Sequence, residues 1–168
     1  MSSKVKNIKM IVARVVLFSL PLLLLIPLLS MGNALPQSIG SLPLTQTKSG
    51  EEARQEIDRL HGKQLNYRKG YIGIYGEGDG KATLWVSEYD SEGAAVEAIE
   101  KMAHTMKEGK QKIFWHFMEM PMEGVMVYFV MGMGQAHYFY QKGIKAIWLA
   151  VDPSQGKPAI REVIAKIN

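Results

Sequence analysis

The 168-residue chain contains no cysteine. That excludes a disulfide-stapled scaffold, a thiolate metal site, a thiol nucleophile, covalent c-type haem attachment and a lipid-bearing cysteine. The first 34 residues contain no acidic side chain, yet Lys4, Lys6, Lys9 and Arg14 all fall there. In residues 35–168 the remaining 16 basic residues balance all 16 acidic ones, so the formal charge of +4 belongs to the N-terminal segment. A nucleic-acid binder needs clustered Lys and Arg to displace phosphate counterions. Outside the N-terminus there is no such cluster, and no nucleic-acid partner is expected. Catalytic signatures are scarce as well. The chain has no G-x-S-x-G elbow, no P-loop and no HExxH. No two of His61, His104, His116 and His137 have the i, i+4 spacing of a helical zinc pair. The glycines of Gly76-Glu77-Gly78-Asp79-Gly80 precede a strand pattern, not the helix N-terminus that a phosphate cradle requires, so they read as a hairpin turn.

The N-terminus is ordered in three zones. Met1–Arg14 is positively charged, Val15–Leu29 is apolar and uncharged, and Ser30–Ala34 is small and polar. This is the order of a secretory signal peptide, with Gly32 and Ala34 placing cleavage after Ala34. A retained membrane anchor, contacting the bilayer through residues 15–31, is the second reading. The strict apolar run has 15 residues. As a helix it spans about 22 Å, against a hydrocarbon core of ~30 Å. Continued to Leu35 it has 21 residues. In either case positive charge stays inside. Residues 35–168 are therefore expected outside the cytoplasm, in the periplasm or at the cell surface, secreted or membrane-tethered.

With 47% apolar and 21% charged residues, the composition is that of a globular protein. Residues 35–48 hold two prolines, one charge and no sustained period, and read as a spacer before a single domain over 49–168. Ser49-Gly50-Glu51-Glu52 has the pattern of a capping box, and Ala53, Ile57 and Leu60 follow at helical spacing up to Gly62. Tyr71–Tyr75 and Ala82–Tyr89 read as a hairpin. Asp90 or Ser91 then caps a helix lined by Ala95, Ala98, Ile99, Met102 and Met106. Strands are predicted over Lys112–Met120, Val125–Met133, Ala136–Gln141 and Ile144–Val151, with Pro121–Gly124 as a turn. Pro158 opens a last helix with Ile160, Val163, Ile164 and Ile167 on one face. The order is α-ββ-α-ββββ-α. Short turns make the strands antiparallel, and the amphipathic helices need a sheet to cover, which predicts an α+β fold.

Eight of the 11 methionines lie between Met102 and Met133. In a strand, His116, Met118 and Met120 alternate onto one face. Thioether and imidazole ligands suit Cu(I) or Ag(I), and thioethers tolerate an oxidising compartment, so these three residues are a candidate soft-metal site. Met131, Met133 and His137 form a looser set. Methionine is also a flexible core filler, and the same strand reads equally as packing. Gln135, His137 and Tyr138, beside the glycines at 132 and 134, are a candidate ligand or partner site. The function expected is a binding or accessory module without catalysis. A Cu(I) carrier, an enzyme built around His137 and Tyr138, and a scaffold within a membrane complex are the alternatives.

Overall fold

The computed structural model describes residues 34–168. Apart from Ala34, the expected signal or anchor segment lies outside the described residues. The chain runs β1 (Ser38–Ile39), β2 (Leu42–Ser49), α1 (Gly50–His61), β3 (Lys69–Tyr75), β4 (Ala82–Glu88) and α2 (Glu92–Lys107). It continues through β5 (Phe114–Met122), β6 (Val125–Gly132), β7 (Gln135–Lys142), β8 (Lys145–Val151) and α3 (Gly156–Lys166). All eight strands form one curled antiparallel sheet in the order β1-β2-β3-β4-β8-β7-β6-β5. The fold is α+β, and from α1 onward the element order is the one the periodicity predicts.

The last four strands form a meander closed by short turns. Glu123 and Gly124 have φ of 47° and 81°, and Met133 and Gly134 have 51° and 75°. Two successive positive φ values make a type I′ turn, whose twist matches that of the flanking strands. α2 carries the chain from β4 to the far edge, and the meander returns until β8 pairs with β4. The Ser91 hydroxyl accepts a hydrogen bond from the Ala94 amide at 3.2 Å, which fixes the start of α2.

Each face of the sheet has its own core. On one, α1 and α2 cover Ile72, Trp85, Trp148, Phe139, Tyr128 and Val130. The registers set Ile72, Trp85, Trp148, Phe139 and Tyr128 directly opposite one another across five strands. Phe139 stacks on Trp148 at 4.8 Å and on Tyr128 at 5.3 Å. On the other face, α3 packs against β1, β7 and β8, burying Ile160, Val163 and Ile164 against Tyr138, Tyr140, Ile147 and Leu149. The Tyr140 hydroxyl is buried there without a hydrogen-bond partner. Burial pushes its pKa up. An unsatisfied buried polar group costs about 1–3 kcal/mol, so Tyr140→Phe is expected to raise stability by about 1 kcal/mol. Urea denaturation of the two proteins checks this, and a loss of stability would contradict it.

Three expectations need correction. Residues 35–48 are not a spacer. Leu35 and Ile39 are buried in the α3-side core, and β2 pairs with β3 from Leu44 to Ser49. The ladder near a sheet edge is held by backbone pairing and needs few apolar side chains, so only Leu42 and Leu44 mark it in sequence. The folded unit therefore begins before Ser49. The Ser49 side chain makes no cap hydrogen bond. Ser49 is instead the last rung of β2, and Gly50, with φ of 60°, turns the chain into α1. Finally, Pro121 sits inside β5, opposite Met126, and not in a turn. β5 is the edge of the sheet, where a missing N–H is tolerated.

Candidate functional site

At the β5–β6 end of the α3 side, Val127 is fully buried, but the side chains around it are not. Met118 lies opposite Phe129, Met120 opposite Val127, and Met122 opposite Val125. Met120, Met122, Val125, Phe129 and Met131 are only partly buried where they meet the core. Among the described residues, five of the six exposed large hydrophobic side chains belong to residues 113–133: Ile113, Trp115, Met118, Met126 and Met133, at 44% to 63% exposure. The β5–β6 ribbon therefore shows an apolar strip rich in methionine.

A β-bulge shapes this strip. Trp115 pairs with Met131 and Met118 with Phe129, so His116 and Phe117 together stand against the single Val130. His116 takes up the irregularity with φ of 55°. The extra residue breaks the alternation on which the His116, Met118 and Met120 site rests. Met118 and Met120 stay in phase, and Trp115 joins them, while His116 falls on the other side of the count. A soft-metal triad on one face is therefore not what the register builds.

The Gln135, His137 and Tyr138 set is also divided. Gln135 reaches across to donate its side-chain amide to the Lys81 carbonyl at 3.3 Å. Tyr138 is buried in the α3-side core, its hydroxyl against Gly156. His137 is buried on the opposite face. Its Nε2 lies 3.0 Å from the Gly132 carbonyl, and its Nδ1 accepts from the Trp148 indole at 3.1 Å. These partners assign the proton to Nε2, which donates to Gly132. Phe114 meets the ring edge-on at 5.0 Å. Both nitrogens are thus committed to holding β6, β7 and β8 together.

Burial lowers the pKa of His137 from the usual histidine range. The native ring stays neutral while the unfolded chain takes up a proton near pH ~6.5. The unfolded state then binds more protons, and stability falls as pH drops below that value, by up to about 1.4 kcal/mol per unit. Urea denaturation between pH 7.5 and 5 checks this. His137→Gln is expected to flatten the slope, and an equal slope in both proteins would contradict the assignment.

Compared with known protein families, curated proteins and solved structures, the chain matches none. The reading of its surface therefore rests on geometry. The clefts among the described residues include two at helix–sheet borders. One, of about 470 Å³, lies between the start of α1 and β3 and is lined by Glu51, Arg54, Arg68, Lys69 and Tyr71. Arg54 is already occupied there: its guanidinium donates to the Tyr67 carbonyl at 2.6 Å and lies 4.4 Å from the centre of the Tyr67 ring. The other, of about 230 Å³, lies between α2 and the Met126 side of the ribbon and includes Glu100, Tyr128 and Gln141. The second takes in Val125 and Met126 of the ribbon, and neither reaches Ile113, Trp115, Met118 or Met133. Sequence reasoning reached the methionines of this strip but missed Ile113 and Trp115 as part of it. The signal available was the tight run Ile113-Phe114-Trp115 beside Met118.

Proposed function

We propose that the protein is a binding or accessory module, held outside the cytoplasm in secreted or membrane-tethered form, that engages its partner through the apolar strip of the β5–β6 ribbon. The observation that carries this reading is the concentration of exposed large hydrophobic side chains on residues 113–133. Trp115 and Met118 share the α3 side of the ribbon while Met126 faces α2, and a concentration of exposed apolar side chains marks interaction sites in folded domains. The residue types fit the role. Unbranched methionine side chains adapt to the contour of a partner, and aromatic residues and methionine are enriched at interface centres. An open strip suits a macromolecular surface better than a small ligand, which seeks a concave pocket.

The side-chain face, not the strand edge, is the recognition element. β5 has one free edge, but Pro121 lacks an N–H and the His116 bulge interrupts the ladder. Both features guard an edge against unwanted strand pairing. The experiment is site-specific photocrosslinking in intact cells, with the full chain carrying a photoreactive residue at Met118 or, as control, at Arg59 on α1. Adducts are expected from position 118 and not from 59. Background labelling at both positions would overturn the reading.

A further inference from the structure

With no cysteine in the chain, thioether sulfur is its most readily oxidised group. The described residues contain eight methionines, and they fall into two classes. Met102 and Met106 pack against the α2-side core, and Met120, Met122 and Met131 against the α3-side core, all five partly buried. Met118, Met126 and Met133 stand out at 47%, 44% and 63% exposure. The places of these three differ. Met126 lines the cleft beside α2. Met118 is in phase with Trp115 and Met120 on the α3 side of β5. Met133 opens the turn that follows Gly132, and Gly132 lies opposite Phe114, between Ile113 and Trp115 in the chain. Away from α2, the exposed large apolar side chains of the ribbon are therefore Ile113, Trp115, Met118 and Met133, and two of these four are thioethers.

We infer that Met118 and Met133 are oxidation sites, and that their conversion to methionine sulfoxide turns off engagement through this surface. The inference rests on the reading above that the ribbon is the surface a partner meets. The oxidant is a peroxide. With hydrogen peroxide, the sulfur lone pair attacks one peroxide oxygen, the O–O bond breaks, and the second oxygen leaves with both hydrogens as water. The sulfur loses two electrons and the peroxide gains two. The product is a polar, chiral side chain in place of a flexible apolar one. In the free domain the S–O dipole is solvated, because these side chains already face water. Under a partner it loses that water, and burying a polar group without a hydrogen bond is unfavourable. Oxidation at Met118 and Met133 therefore removes binding and spares the fold. At Met120, Met122 or Met131 the same change would set a sulfoxide against the core. Sulfoxide reductases, one for each epimer, return the thioether, so the modification is reversible.

The purified full chain is treated with graded hydrogen peroxide in nonionic detergent, and sulfoxide at each methionine is followed by peptide mass spectrometry. Met118 and Met133 are expected to oxidise about five-fold faster than Met102, Met106 and Met131, with the circular dichroism unchanged when both are converted. Binding is read in intact cells with the photoreactive residue in place of Trp115, which leaves every methionine present. A peroxide pulse is expected to cut the adducts from position 115 about five-fold. Met118→Leu with Met133→Leu keeps the apolar volume and removes the sulfur, so that chain is expected to hold its adducts through the same pulse. Oxidation of Met118 and Met133 no faster than the partly buried methionines overturns the inference, and so does unfolding at that dose. Equal loss of adducts with and without the leucine substitutions also overturns it, since the sensitivity then lies in the partner. Adducts from position 115 that survive full conversion of Met118 and Met133 refute the inference alone. Absence of adducts before any peroxide refutes the reading on which it rests.

Discussion

Phe139→Ala is expected to lower the stability of the domain by about 3–5 kcal/mol, the usual cost of removing a buried phenylalanine ring. Phe139 is fully buried and sits between Trp148 and Tyr128 in the row that crosses the sheet under α2. Its removal leaves a cavity that none of its neighbours fills easily. Trp148 is also bonded to His137, and Tyr128 is stacked on Phe117 at 6.0 Å. Domains of this size are stable by roughly 5–15 kcal/mol, so much of the total is at stake. Phe139→Leu keeps most of the volume and should cost less than about 1.5 kcal/mol. Equilibrium urea denaturation of both variants checks the pair. A loss below about 1 kcal/mol for the alanine variant would mean that the row is not the packed centre of this face.

Gly132→Ala carries the second large effect. An added Cβ would overlap the Phe114 ring and come within 2.7 Å of the Ile113 carbonyl oxygen. The backbone at the start of β5 must move to make room, and overpacking of this kind costs about 1–3 kcal/mol. The same residue gives its carbonyl to His137 Nε2, so the shift also strains a buried hydrogen bond. We expect a total near 3 kcal/mol, at the upper end of that range. Phe114→Ala in the same chain relieves the overlap with the ring but not that with the carbonyl, so rescue should be partial. A double-mutant cycle measures the coupling. Full additivity would contradict the contact. The variant also bears on the proposed function, because it displaces the segment that carries Ile113 and Trp115.

Much of the fold is legible in the sequence because local chemistry and burial agree. α2 begins where Ser91 caps it, and Ala95 and Ile99 lie at helical spacing on its buried face. The glycines at 124 and 134 mark turns whose backbone needs positive φ. The hidden parts are those in which backbone pairing or distant contacts decide. β1 and β2 escape notice because Thr45–Lys48 is polar and the strand is held by its ladder with β3. The bulge at His116 has a subtler signature. Phe114 and Phe117 are three residues apart, yet both pack in the α2-side core. Strict alternation forbids that, so one residue must be inserted between them. The sites show the same division. The methionines stand out by composition alone. The fate of His137 depends on the Gly132 carbonyl and the Trp148 indole, which only the register brings to it.

The central proposal is that the exposed apolar side chains of residues 113–133 form the surface through which this protein engages its partner. Hydrogen–deuterium exchange of the full chain tests it most directly, comparing native membrane vesicles with detergent. The account predicts slower exchange in vesicles over residues 113–133 and no change in α1 or around Gly143. Equal exchange over 113–133 in the two media, or protection centred on α1, would contradict it.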